Sequence, residues 1–518
     1  MEPSMNSGQG QQPAEIVVVG SGIAAWLSAA MLRRQLRPEH GRITVVEHPA
    51  ESWSTKTPLS TTVTVGPAFV ALLHHLGIPQ PTLMQACDGV YCLGTQFREW
   101  ADAETEFWLP FGSCGVPIDG RDVFHFWLAE RKRGNLHRPY DAWSLHAVAA
   151  QAGRSPHSFR AFSPFTQQQS YGLQLNEERL ADFLRQTVQQ QDVLTVAERV
   201  ITAERNGTGD LVSLQLQSGV FLAGDFFVDC SGADSVLIDQ VLQIPWQERP
   251  VGVDRRLTIR TSARRIVPSL TAVQAVDDGW IETRPLTFGV DHTLKFSTDF
   301  TTEDAALRQL ESHVSGLKRI NDVTSRVISN NALRDQFWVN NVVAIDEVAW
   351  RCESPWSVQM DSLQAAVELF LRVFPTGGSM DASRKHFNAH CRQMLEQQLN
   401  WHLLPLQLNA RRNGELWQAV RQLPLSSVMQ HQLRVYDDCG VIVDLIPGGI
   451  TESAAYFLLT GCQRLPRRAL PAALAVSSEQ IQEILNSMEQ QNDEVVRDLA
   501  LHEEMLDRIH RPPIARAS

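Results

Sequence analysis

The chain has 518 residues, of which 43% are hydrophobic and 20% charged, and it carries a net charge of −12. That composition belongs to a globular protein with a large core. The acidic balance argues against nucleic acid or an anionic membrane surface as a partner.

Residues 1–14 are polar and rich in Gly, Gln and Pro, and are expected to form a tail. Residues 16–19 are an unbroken β-branched run, as in a parallel strand buried on both faces. Gly20 and Gly22 follow, allowing a tight turn and a close backbone approach to a diphosphate. Ala25 takes the third small position of a G-x-G-x-x-G pattern. A helix is predicted to begin at Ala24 and Ala25 and run through Leu32, with its free N–H groups and positive dipole end facing the phosphates. Residues 43–46 read as a second strand. Glu47 ends it, where a carboxylate can accept hydrogen bonds from a ribose diol. Strand, turn, helix, strand and acid in this order make a candidate dinucleotide site; the competing reading is a βαβ unit without a ligand.

After a polar loop, residues 69–76 read as a helix ending at Gly77. Residues 89–100 alternate like a strand through Phe97 and Trp100. Residues 101–165 hold many Trp, Phe, Pro and His residues, and are expected to be irregular excursions covering a pocket. A helix is predicted over 176–190. Strands follow over 193–229, the last returning to the first sheet and leaving its Asp229-Cys-Ser-Gly loop beside the cofactor. Residues 256–300 and 342–345 are strand-like, and 363–374 form a helix stopped at Pro375. Beyond 376 the chain is mostly helical. Ser477 and Gln480 have capping-box spacing and open a helix with Ile481, Ile484, Leu485 and Met488 on one face. Eight cysteines occur without a C-x-x-C pair, which suits reduced thiols in a cytoplasmic protein. No run of about 18 apolar residues occurs, so no membrane span is expected. The predicted architecture is α/β. An FAD/NAD(P)-binding Rossmann-like domain over 15–375 is interleaved with an inserted antiparallel β substrate region, and a helical cap covers 376–518.

Several landmarks recur in order. They are Gly-Ser-Gly-Ile-Ala-Ala-Trp at 20–26, Asp-Cys-Ser-Gly at 229–232, and Gly279-Trp280 with Pro285-Leu286 and the run 289–299. Then come Phe337-Trp338 leading into 342–345, the helix ending in Phe374-Pro375, Glu415-Leu-Trp417 and Leu458-Leu-Thr-Gly461. Over roughly residues 15–510 the chain resembles the flavin-dependent tryptophan halogenases. The resemblance implies FAD as cofactor, an aromatic, indole-like substrate, and a separate flavin reductase as partner. It also implies a chemistry: reduced FAD, oxygen and halide give hypohalous acid, which reaches a lysine beside the substrate while a glutamate assists.

The residues at the family's chemical positions differ. The flavin strap falls on Ser60 to Val65, without its glycines and glutamate. The lysine position holds Cys92, and a thiol cannot supply an ammonium hydrogen bond. The glutamate position holds Trp356, beside Ser357; Glu353 is the alternative acid, at the cost of a gap. A Gly-Asp that approaches the flavin falls on Asp346-Glu347. Glu282 and Arg284 replace the second tryptophan and the isoleucine of W-x-W-x-I-P. These substitutions imply a protein that keeps the FAD fold, binds FAD weakly, lacks halogenase activity and acts as a non-catalytic partner of an active homologue. The other reading is a divergent flavin-dependent halogenase or monooxygenase.

Overall fold

A computed structural model describes residues 14–48, 61–100, 105–160, 163–250, 252–263, 266–356, 359–374, 380–411 and 413–511. Its organising sheet has six strands in the order Trp338–Val339, Val342–Ala344, Phe226–Asp229, Ala14–Val19, Gly41–Val46, Leu194–Val196. All pairings are parallel except the hairpin at the Trp338 edge. Ile16 and Val18 enter one hydrophobic core while Val17 and Val19 enter another on the opposite face. This is why the strand reads as a continuous apolar run. Helix Ile23–Gln35 follows the glycine turn, buried from Ala24 to Leu32.

A seven-stranded sheet stands beside it, in the order Thr324–Val327, Arg255–Ser262, Gly289–Phe296, Gly279–Leu286, Thr271–Val276, Gly94–Arg98, Glu106–Pro110. It is antiparallel apart from the contact of Thr271–Val276 with Gly94–Arg98. A small sheet of Thr62–Val65, Gly172–Asn176 and Val90–Cys92 joins the two layers. The helix Asp381–Leu408 ties them together. Phe387, Met394 and Leu395 pack into the first core, whereas Trp401, Leu404 and Leu406 pack into a second, aromatic-rich one. Helix Ser478–Asp498 carries both halves of the capping box at Ser477 and Gln480, and buries Ile481 and Leu485 in that second core. No described helix is long and apolar enough to cross a membrane.

Two expectations need correction. Residues 105–160 are not irregular excursions. They contain the strand Glu106–Pro110 and the helix Val123–Arg133, whose residues from Val123 to Glu130 are all buried. A helix enclosed on every side has no polar face, so its sequence shows no amphipathic period. The alternation over 89–100 is not one strand either. Val90–Cys92 and Gly94–Arg98 belong to different sheets, and the break falls at Gly94, which holds φ +156°.

Candidate active site

The turn after the first strand is shaped by close contact. Gly20 holds φ +146°, and a Cβ there would strike the Cys230 carbonyl oxygen. Only glycine permits this approach. Ala25 is fully buried, and its Cβ stands 3.2 Å from the position a Gly20 Cβ would take, so a small residue is required there too. Gly22 opens helix Ile23–Gln35 with no side-chain cap among the described residues, and a Cβ there would meet nothing within 4 Å. Bare N–H groups, a positive dipole end and free space suit a diphosphate. At the end of Gly41–Val46, Glu47 accepts a hydrogen bond from Arg185 Nε at 3.1 Å. It lines a groove of about 430 Å³ with Ser21, Trp26, Asp182 and Arg199. That volume lies in the range of roughly 300–1,000 Å³ typical of small-molecule sites.

Asp229 shapes the neighbouring loop. Its Oδ1 accepts from the Ser231 N–H at 3.1 Å and hydroxyl at 2.6 Å, and its Oδ2 accepts from the N–H groups of Leu237 and Ile238, each at 2.8 Å. Those donors account for the buried carboxylate, whose role is to hold the turn. Cys230 is buried, with Ser28 Oγ 3.7 Å from its Sγ.

Asp346 lies just beyond Val342–Ala344, next to Ile345, whose N–H donates to the Asp229 carbonyl at 2.9 Å. It holds φ +67°, a conformation that favours glycine. Gln359 Nε2 donates to its Oδ1 at 3.1 Å. The side chain is half-buried, crowded on one side by protein. That crowding, with Glu347 adding repulsion, pushes the carboxyl up to about 7 against the opposing Gln359 hydrogen bond. Glu347 is raised for the same reason, although Arg351 and Arg256 pull it the other way. Its Oε2 stands 3.7 Å from where a Gly232 Cβ would lie, so the acids border the Asp229 loop. The Gly20–Ala25 turn, the helix start and the Glu47 groove fit the adenosine diphosphate part of FAD. The acids at 346 and 347 oppose a bound anion's charge.

Between the seven-stranded sheet and helix Asp381–Leu408 lies a cavity of about 110 Å³, lined by Trp356, His402, Lys295, Glu353, Arg256 and Arg351 among others. The Trp356 ring lies against His402, centroids 4.4 Å apart. Ser354 Oγ donates to the Trp356 carbonyl and stands 3.0 Å from His402 Nδ1. Burial pushes His402 down to about 3, so the imidazole is neutral at ordinary pH. Lys295 projects from Gly289–Phe296 and donates to Glu282 Oε1 at 2.5 Å and to Glu353 Oε1. Arg284 holds the other Glu282 oxygen at 2.6 Å, and Trp280 Nε1 donates to Oε1 at 3.0 Å. Burial would push Glu282 up, but Arg284 and Lys295 outweigh it and hold the carboxyl below its ordinary value.

Cys92 does not line this cavity. It is fully buried: its thiol donates to the Gly94 carbonyl at 3.5 Å and accepts from Gln174 Nε2 at 3.7 Å. Burial pushes the thiol up despite those bonds, which leaves it protonated and unreactive. Ser357 lies outside the described residues, as does Ser60 of the strap. The rest of the strap, Thr62–Val65, is a strand pinned to Gly172–Asn176, with Thr62 Oγ1 donating to Asp291 at 2.7 Å. The fold therefore gathers Trp356, Glu353 and Lys295 around one space and leaves Cys92 apart.

A parallel sheet with this glycine turn and terminal acid, joined to a large antiparallel sheet, defines a dinucleotide-binding α/β protein. A profile of the tryptophan halogenase family matches residues 15–478. The chain belongs to the flavin-dependent tryptophan halogenases, and its cofactor by membership is FAD. Similar proteins include tryptophan 6-halogenase ThaL of Streptomyces albogriseolus, 24% identical over 96% of this chain and 98% of that one. Tryptophan 7-halogenase RebH of Lentzea aerocolonigenes is 25% identical over 82% of this chain and 81% of its own. Among solved structures, a flavin-dependent halogenase from Xanthomonas campestris superposes with a TM-score of 0.88 at 22% identity, covering 96% of this chain and 99% of that one. The flavin-dependent halogenase BrvH from a Brevundimonas species gives 0.87 at 24%, with the same coverage.

The sequence did not single out Lys295, Arg256, Arg351 or His402. One signal was present for Lys295: a lone lysine inside the strand Gly289–Phe296, every residue of which is buried. A buried lysine requires an acid partner, and the out-of-place Glu282 supplies one.

Proposed function

We propose that this chain is an FAD-binding member of its family that does not halogenate tryptophan and serves as a non-catalytic partner, for instance of an active homologue in the cytoplasm. The observation that carries this reading is the Trp356 indole lying against His402 in the cavity. The remaining space of about 110 Å³ falls well short of the roughly 300 Å³ at which small-molecule pockets begin. The inert Cys92 thiol and the acids at 346 and 347 support it. Free cysteines at all eight positions suit a reducing compartment. The test supplies a flavin reductase, FAD, oxygen, halide and tryptophan. Mass spectrometry is expected to find no halotryptophan above a control without the protein, and a clear product peak would sink the proposal.

A second reading, a divergent flavin-dependent halogenase or monooxygenase acting on an indole-like compound, draws on one observation. The Lys295 ammonium and Glu353 carboxylate line the same cavity as a contacting amine–acid pair. Product screening with a panel of indoles in place of tryptophan separates the two readings.

A further inference from the structure

The side of the cavity formed by the antiparallel sheet carries an unbalanced row of cations. Arg326, Arg256 and Lys295 are direct cross-strand partners on three adjacent strands, so their side chains share one face. Trp280 continues the row on the next strand. Like charges directly opposite one another destabilise a sheet unless something neutralises them. Lys295 has its neutralising partners in Glu282 and Glu353. Arg256 lines the cavity and makes no ion pair or side-chain hydrogen bond among the described residues. Arg351 also lines the cavity and has no acidic partner in contact among the described residues. Its guanidinium carbon lies 4.3 Å from the Trp246 ring centre, which fixes its position.

Three buried donors at this cavity are also orphaned: Arg284 Nε, Arg351 Nε and Trp356 Nε1 have no hydrogen-bond partner among the described residues. Buried donors without acceptors are rare in folded proteins, and each calls for an explanation. The acids near enough to matter are Glu353 and Glu282, both occupied by Lys295, and Glu347, which feels Arg351 and Arg256 from outside the cavity lining. In a chain of net charge −12, two arginines without an acidic contact and three orphan donors around one cavity point to a missing acceptor.

We propose that this cavity binds the oxyanion group of a small molecule, a carboxylate or a phosphate, between the guanidinium groups of Arg256 and Arg351. Planar guanidinium forks match such oxygens with paired hydrogen bonds. The small volume admits the anionic head of a ligand and little more, unless Trp356 moves. This goes beyond the reading of the chain as a non-halogenating flavoprotein and does not depend on it, because anion binding requires neither reduced flavin nor halide.

The test is calorimetric titration of the full-length protein with inorganic phosphate and, separately, with acetate, at fixed ionic strength. Saturable binding of either is expected, and the tighter of the two identifies the ligand's head group. Arg256→Gln and Arg351→Gln should each weaken it tenfold or more. Arg351→Lys keeps the charge but loses the fork, and should give a smaller loss; it also guards against failure of Arg351→Gln to fold. Arg326→Gln, at the exposed end of the row, should stay within twofold of the parent. Phosphate held instead at the Gly20–Ala25 turn would be insensitive to the changes at 256 and 351, and that result overturns the proposal. So does the absence of saturable binding, or chloride binding as tightly with the same dependence on both arginines.

Discussion

Trp356→Ala tests the reading of the cavity most directly. The indole is 9% exposed, so nearly all of it is buried against protein. A buried tryptophan withdraws about 150–250 Å² from water, worth on the order of 4–6 kcal/mol at about 25 cal/mol per Å². Contact with the His402 ring at 4.4 Å adds about 0.5–1.5 kcal/mol. Two features reduce the cost. One side of the ring already faces a void, and its Nε1 is buried without a partner among the described residues, so removing it relieves about 1–3 kcal/mol of unsatisfied desolvation. The expected loss is about 3 kcal/mol, at the lower end for a buried tryptophan truncated to alanine. Urea unfolding measures it. The same change enlarges the 110 Å³ cavity toward the size of an indole site. Calorimetry with tryptophan or indole should therefore be silent for the parent and show binding for the variant. Equal binding by both proteins, or by neither, would refute the argument that this ring occupies a ligand's place.

Asp346→Gly should tighten FAD roughly tenfold, because it removes a charge beside the Asp229 loop and gives φ +67° to the residue that adopts it most readily. Asp346 has a raised pKa, so its neutral form is favoured in the folded protein. The stability this confers is full below the ordinary carboxyl range and lost as pH climbs through about 7. FAD affinity, read by flavin fluorescence, should accordingly fall from pH 6 to pH 8 in the parent and change less in Asp346→Gly. Lys295→Met strips a buried partner from Glu282 and should cost about 3–5 kcal/mol. Adding Glu282→Leu should recover at least 1 kcal/mol, and additive losses in urea would mean that the pair is not coupled. Cys92→Lys with Trp356→Glu should not restore tryptophan halogenation, because Cys92 lies outside the cavity and the acids at 346 and 347 remain. A halotryptophan peak from that double variant would contradict this.

The sequence by itself determined the cofactor-side fold. Residues 16–19, Gly20, Gly22, Ala25 and Glu47 are local signals: each fixes a strand, a turn or a helix start within a few residues, and the sheet repeats them faithfully. The capping box at Ser477 and the helix stop at Gly77 are legible for the same reason. The helix Val123–Arg133 was not legible, because burial on all sides erases the period that would mark it. The cavity belonged wholly to the tertiary structure. Its lining comes from Arg256, Lys295, Arg351 and His402, which meet only after three strands and a distant helix assemble. Sequence spacing says nothing about cross-strand neighbours, so neither the cation row nor the seating of Trp356 on His402 could be read before the chain was folded.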